Sequence, residues 1–128
     1  SIFIKRSIMP DNGATYFLPR QVGPGVAAEM ALTGNVYDAK WALEKGLVNK
    51  VVPAGQLMEE ARSMAEEIAS NPPLAVQSTK QLLISHMPEM YRVAREEHEA
   101  NAPSNGSEDR REAVLSFIEK REPVYKGR

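Results

Sequence analysis

The chain has 128 residues, enough for one domain, and 42% of them are hydrophobic and 26% charged. A net charge of −1 excludes the broad basic surface that nucleic-acid and membrane binding use. The absence of cysteine excludes disulfides and thiolate chemistry, and two scattered histidines, His86 and His98, do not predict a metal site. With no membrane-length apolar run and no signal-peptide pattern, we expect a cytoplasmic protein.

The first predicted elements are a turn and two helices. Residues 10–13 (PDNG) predict a turn, because proline fixes φ and Asn-Gly tolerates positive φ. Asp11 or Asn12 is expected to cap a helix that stops near Pro19. A second helix is predicted over residues 24–32, with proline in its first turn.

Local signals then predict a short helix and a strand. Asp38 is a plausible N-cap for a helix over residues 39–45, which Gly46 closes in a left-handed conformation. Residues 47–52 (LVNKVV) alternate between apolar and polar side chains. This alternation predicts the one clear strand.

Four helices are predicted in the rest of the chain. They cover residues 57–68, 74–86, 88 to about 102, and a final helix after a loop at 104–106. Ser107 is expected to cap the final helix, whose apolar side consists of Val114, Leu115, Phe117 and Ile118. The predicted fold class is therefore mainly α, with six to seven helices and one short strand.

Four segments resemble, in the same order, the enoyl-CoA hydratase/isomerase (crotonase) superfamily. They are residues 10–23 (PDNGATYFLPRQVG), 31–53 with LTG and GLVNKVVP, 71–80, and 107–123. The resemblance implies the C-terminal part of the α/β crotonase fold, cut from a larger protein. Residues 1–53 are then the end of the spiral core with its active-site turn, and residues 54–128 a C-terminal helical trimerisation region.

The resemblance implies an acyl-CoA enzyme of the isomerase or hydratase type. In this chemistry two backbone N–H groups hold the oxygen of a thioester enolate, and a carboxylate moves a proton. Coenzyme A is the substrate carrier, and neither a cofactor nor a metal is needed. Family members form trimers or pairs of trimers, which implies a homo-oligomer. Both N–H donors belong to the half that is absent here, so the isolated chain is expected to be inactive.

Asp11 is the candidate catalytic residue. Some family isomerases and a related dehalogenase use an aspartate directly after the proline of the turn, whereas family hydratases carry a glutamate seven residues before it, where this chain has Phe3. The turn and the C-terminal tail resemble those of isomerases of aromatic-acid breakdown, such as phenylacetyl-CoA-epoxide isomerase-like members. The alternative for Asp11 is a role in helix capping or in the turn alone.

Four further residues are candidates for substrate binding. Phe3 is expected to pack in the core or to line an acyl pocket, and Tyr16 to pack or to face that pocket. Phe117 and Lys120 match positions where the family's last helix reaches the adenine and phosphates of coenzyme A, for which an aromatic ring and a lysine are suited. The alternative is a solvated Lys-Arg pair beside a buried Phe117.

Three other hypotheses stay open. The first is a true enoyl-CoA hydratase, against which Phe3 argues. The second is a helical oligomerisation module that has no chemistry of its own when isolated. The third is a generic helical interaction domain whose resemblance to the family is coincidental.

Overall fold

The computed structural model describes residues 2–85 and 87–128. All regular structure in these two ranges is helical. A 3₁₀ helix (Phe3–Arg6) is followed by α1 (Ala14–Val22), α2 (Pro24–Thr33), α3 (Ala39–Glu44), a second 3₁₀ helix (Ala54–Gln56), α4 (Leu57–Ala69), α5 (Pro73–Leu83), α6 (Met87–Asn105) and α7 (Glu108–Glu119). The mainly α class is therefore confirmed.

The core lies where the beginning and the end of the chain meet. Helix α1 packs against α2 and α6, and the first 3₁₀ helix packs against α2 and α7. The buried apolar side chains of the described ranges are Tyr16, Ala27, Met30, Met90 and Ala113. Contacts between α1 and α6 cross the boundary predicted at residue 53, so the turn before α1 is built by both parts of the chain.

Capping predictions that depend on neighbouring residues are confirmed. The Asp38 carboxylate accepts a hydrogen bond from the Trp41 backbone N–H at 2.7 Å, at the start of α3. The Ser107 hydroxyl accepts one from the Arg110 backbone N–H at 3.0 Å, at the start of α7. Gly46 follows α3 with a φ of 72°, the left-handed conformation predicted for it.

The predicted strand does not form. Residues 47–52 are irregular, and the described part of the chain contains no strand with which they could pair. Alternation marks a strand only where a neighbouring strand takes up its backbone hydrogen bonds. The sequence pattern was therefore insufficient evidence for this element.

Three helix ends also differ from prediction. Helix α1 continues through Pro19 to Val22. The proline removes only one backbone hydrogen bond, and packing against α2 and α6 stabilises the rest of the helix. Helix α6 includes Ser104 and Asn105, which were predicted to lie in a loop. The fifth helix ends at Leu83, and His86 lies outside the described residues.

The predicted apolar side of the last helix is not the side that packs against the rest of this chain. Helix α7 packs through its small residues Ala113 and Ser116, which are buried against its neighbours. The four large residues of the predicted apolar side are exposed: Val114, Leu115, Phe117 and Ile118. Small side chains allow a close approach between helices, so they rather than the large ones form the contact.

Candidate active site

The turn at residues 10–13 brings Asp11 to the start of α1. Asn12 and Gly13 both adopt left-handed backbone conformations, with φ values of 57° and 80°. The Ala14 backbone N–H donates to the Asp11 carbonyl oxygen at 3.1 Å and closes the turn. The Asp11 carboxylate is partly exposed and accepts a hydrogen bond of 2.7 Å from the Asn12 side-chain amide.

The cap of α1 comes from a distant helix, which corrects the prediction that Asp11 or Asn12 supplies it. Gly13 occupies the N-cap position and has no side chain with which to cap. Glu97 of α6 instead places Oε2 2.7 Å from the Gly13 backbone nitrogen and Oε1 2.7 Å from that of Thr15. The Thr15 hydroxyl also donates to Oε1, at 2.6 Å.

Asn101 holds the other end of the same turn. It lies one helical turn after Glu97 on α6, and its Oδ1 accepts from the Met9 backbone N–H at 2.8 Å. Its Nδ2 donates to the carbonyl oxygens of Met9 at 3.4 Å and of Glu97 at 3.3 Å. Both side chains are buried, so residues 10–12 lie between two fixed points.

An apolar hollow of about 260 Å³ lies beside this turn, between α1 and α2. Pro10 and Ala14, which flank the turn at residues 11–13, line it, whereas Asp11 itself is not among the lining residues. The remaining walls are Thr15, Leu18, Pro19, Pro24, Ala27, Ala28, Ala31 and Leu32. A concave apolar surface of this kind is suited to the acyl part of a substrate.

A second cleft, of about 780 Å³, carries positive charge. Lys5, Arg6, Lys120 and Arg121 line it together with Phe117, against one acidic residue, Glu122. Arg121 is paired with Glu112 and Glu119, so Lys5, Arg6 and Lys120 supply most of the positive charge. The Arg6 guanidinium carbon lies 3.8 Å from the centre of the Phe117 ring, a cation–π contact. Cationic groups beside an exposed ring form a surface that can take a phosphate and an aromatic base.

The first 3₁₀ helix forms one wall of this cleft, and hydrogen bonds hold that helix in place. Arg110 donates from Nη1 to the Arg6 carbonyl oxygen at 2.7 Å, and the Tyr125 hydroxyl donates to the Lys5 carbonyl oxygen at 2.9 Å. Lys120 ends α7 in a left-handed conformation with a φ of 53°. Residues from both ends of the chain therefore contribute to one cleft.

The structure brings together some of the predicted site residues. Phe117 and Lys120 line the same charged cleft, and Phe117 is 63% exposed, so the alternative of a buried Phe117 is wrong. Tyr16 is only 4% exposed and packs under the Arg20 guanidinium, while Phe3 is 43% exposed in the first 3₁₀ helix. Neither Phe3 nor Tyr16 is among the residues that line the hollow or the charged cleft.

Glu97 and Asn101 were not predicted as site residues from the sequence. Both continue the inward stripe of α6 that Met90 and Ala94 begin, at spacings of three and four residues. A polar residue on the apolar stripe of a helix needs a hydrogen-bond partner, and this signal was present in the sequence. The identity of the partner, a turn more than 80 residues earlier, required the structure.

In residues 2–85 and 87–128, no group of three or more histidine, aspartate or glutamate side chains is placed to hold a metal ion. None of the helices in those ranges is both long and apolar enough to cross a membrane.

The chain is similar to known proteins along nearly its whole length. The chain is 41% identical to a carnitinyl-CoA dehydratase of Escherichia coli (strain SMS-3-5 / SECEC), across 97% of its own length and 49% of the relative's. Among solved structures, an enoyl-CoA hydratase/isomerase from Pseudoalteromonas atlantica T6c superposes with a TM-score of 0.89 at 30% identity, over 97% of this chain and 50% of that one. A carnitinyl-CoA hydratase from Mycobacterium avium superposes with a TM-score of 0.81 at 37% identity, over 98% and 49%.

The chain therefore spans about half the length of the curated relatives it matches. The names of these relatives, dehydratase and hydratase, differ from the aromatic-acid isomerases that the motifs resembled. The enoyl-CoA hydratase/isomerase family profile matches residues 2–128. The chain belongs to the enoyl-CoA hydratase/isomerase family.

Proposed function

We propose that this chain supplies the proton-transfer turn and the coenzyme A cleft of an enzyme that acts on acyl-CoA thioesters, with Asp11 as the catalytic residue. The position of Asp11 carries the proposal: its turn is held at both ends by buried side chains and borders an apolar hollow. A carboxylate held in place beside an apolar surface can exchange protons with a carbon atom of a bound acyl chain.

The chemistry needs two contributions from the protein. Removal of a proton from the carbon next to a thioester leaves an enolate, whose oxygen must be stabilised by N–H donors. We assign the proton transfer to Asp11 and leave the N–H donors to the family's other half, as the family resemblance implies. The isolated chain is then inactive, which is an expectation of the same proposal.

The names of the relatives favour dehydration or hydration as the reaction. In dehydration of a 3-hydroxyacyl thioester, a proton leaves the second carbon and hydroxide leaves the third, so that a double bond and one water molecule form. Relatives described as carnitinyl-CoA dehydratase and hydratase support such a substrate class for this protein.

Isomerisation of a double bond is the second candidate, and one observation favours it. Phe3 stands where family hydratases carry a second carboxylate, so Asp11 is the one carboxylate that the family resemblance assigns to proton transfer in this chain. One carboxylate can move a proton from one carbon of an acyl chain to another, whereas addition of water is easier with two. An assay that records hydration and double-bond migration separately decides between the two.

The coenzyme A end of the substrate is assigned to the charged cleft. Lys120 is proposed to meet a phosphate and Phe117 the adenine, with Lys5 and Arg6 adding charge. A homo-oligomer, either a trimer or a pair of trimers, is proposed as well. The exposed apolar side chains of α4 and α5 support association.

The test replaces Asp11 with asparagine in a protein of the full length of its relatives. The change keeps the shape and removes the base, so we expect kcat for crotonyl-CoA or carnitinyl-CoA to fall by about 10²–10⁴-fold. Asp38→Asn makes the same chemical change at the start of α3, where asparagine also caps, and leaves turnover unchanged. Equal turnover by the two variants would refute the role of Asp11.

A further inference from the structure

Glu97 is a buried carboxylate that the proposed chemistry does not use. It is 3% exposed, and it lines neither the apolar hollow nor the charged cleft. Its two oxygens accept three hydrogen bonds, from the backbone N–H groups of Gly13 and Thr15 and from the Thr15 hydroxyl. No salt-bridge partner of Glu97 is found in the described residues.

The position of the carboxylate matches the electrostatics of a helix end. The first N–H groups of α1 have no partner within the helix, and the positive end of the helix dipole lies there. A carboxylate with two oxygens 2.7 Å from two of these nitrogens satisfies both and places negative charge where the dipole favours it. Glu97 therefore caps α1 from a helix more than 80 residues away in the sequence.

The consequence for Asp11 follows from its place in the chain. Asp11 lies two residues before Gly13 and two after Met9, and α6 binds both of those residues, through Glu97 and Asn101. Asn12 and Gly13 both take left-handed backbones, which flanking contacts must hold in place when the residue is not glycine. Release of Gly13 would let this part of the turn relax and would move the Asp11 carboxylate.

We infer that Glu97 is a positioning residue, which acts on catalysis only by fixing the turn that carries Asp11. The inference rests on the proposed function, because it assumes that Asp11 transfers the proton. It adds a helix outside both cavities, α6, to the machinery of the reaction. Asn101 assists at the other end of the turn.

The test compares Glu97→Gln with Glu99→Gln, an exposed position on the same helix. A glutamine directs an NH₂ group at one of the N–H donors, so at least one of the bonds to Gly13 and Thr15 is lost. We expect kcat to fall by about 10–100-fold with KM changed by less than about threefold, because displacement of a reacting group by about 1 Å has an effect of this size. Amide hydrogen exchange at Gly13 or Thr15 is expected to accelerate in this variant and not in Glu99→Gln.

A double-mutant cycle separates positioning from general destabilisation. If Glu97 acts through Asp11, Glu97→Gln reduces turnover in the natural background and has no further effect in Asp11→Asn. Equal losses in both backgrounds, or no loss with the Gly13 and Thr15 amides still protected, would overturn the inference. If the glutamine variant does not fold, Glu97→Asp keeps the negative charge and is expected to give an intermediate kcat in the same cycle.

The two proposals fail in different ways. Loss of activity in Asp11→Asn with unchanged activity in Glu97→Gln refutes the positioning role alone. Unchanged activity in Asp11→Asn, with a loss in Glu97→Gln and faster exchange at Gly13, refutes the role of Asp11 and leaves Glu97 as the residue that orders the turn. Unchanged activity in both refutes both.

Discussion

Gly13 has a left-handed backbone and also donates its N–H to a carboxylate on a distant helix. Its φ of 80° lies in the left-handed region, and its N–H must face the Glu97 carboxylate. A Cβ built on Gly13 would lie 3.2 Å from atoms of Met90 and of Phe17. The position is therefore restricted by its backbone conformation and, to a smaller extent, by its neighbours.

Gly13→Ala is expected to lower the free energy of unfolding by about 1–2 kcal/mol, the usual penalty of a left-handed backbone for a residue with a Cβ. Gly25→Ala is the matched control, because Gly25 lies in helix α2 and nothing approaches its Cβ position within 4 Å. That variant is expected to be neutral or slightly stabilising. Urea unfolding of the two variants measures the difference. Equal unfolding midpoints would show that a side chain at position 13 causes no strain.

At the scale of elements, the C-terminal tail is bound to α7 through two carboxylates. Glu112 accepts hydrogen bonds from the Arg121 guanidinium, with one at 2.8 Å, and from the Val124 backbone N–H at 2.9 Å. Asp109 accepts from the backbone N–H groups of Lys126 and Gly127, at 2.6 Å and 2.8 Å. This arrangement places Tyr125 where it donates to the Lys5 carbonyl oxygen, so the tail also supports the charged cleft.

The tail contact is expected to depend on pH. The Arg121 guanidinium, followed by the Val124 N–H, lowers the pKa of Glu112 from 4.5 to about 2. Because the folded-state pKa is the lower one, the stabilisation is fully present above pH 4.5 and is lost as pH falls towards 2. The amide proton shift of Val124, followed by NMR, is expected to titrate with a midpoint near the lower value.

Glu112→Gln provides the control for this titration. The variant has no carboxylate to titrate at this position, so the Val124 amide should not show that step. A midpoint near the ordinary glutamate pKa of 4.5 in the natural chain would contradict the contact with Arg121. Because these groups lie at the surface, salt should weaken the effect.

The elements that could be predicted from the sequence are those with local causes. The caps at Asp38 and Ser107 bind an N–H three residues away, and both were predicted correctly. The strand at residues 47–52 and the cap of α1 depend on partners far along the chain, and both predictions failed. Of the candidate site, Phe117 and Lys120 were predicted and meet in one cleft, whereas Glu97 could be suspected only as a polar residue on an inward stripe.

At the scale of the whole molecule, apolar side chains are distributed unevenly. The core joins the first 3₁₀ helix, α1, α2, α6 and α7. Helix α4 exposes Leu57 and Ile68, and α5 exposes Leu82 and Leu83 at 73% and 75% of their surfaces. Apolar patches of this kind commonly mark contacts with another protein surface, because water contact with them is unfavourable.

We therefore expect the chain to associate with itself through α5. Light scattering across a range of concentrations should give a mass above that of one chain, and replacement of both Leu82 and Leu83 by serine should return it to that of one chain. Gln81→Ser, at an exposed polar position of the same helix, should leave the mass unchanged. Burial of each leucine side chain in the contact would stabilise the associated form by about 1.5–3 kcal/mol, and a serine side chain would not contribute this free energy. A natural chain that remains a monomer throughout, or a double variant that still associates, would assign the contact to another surface.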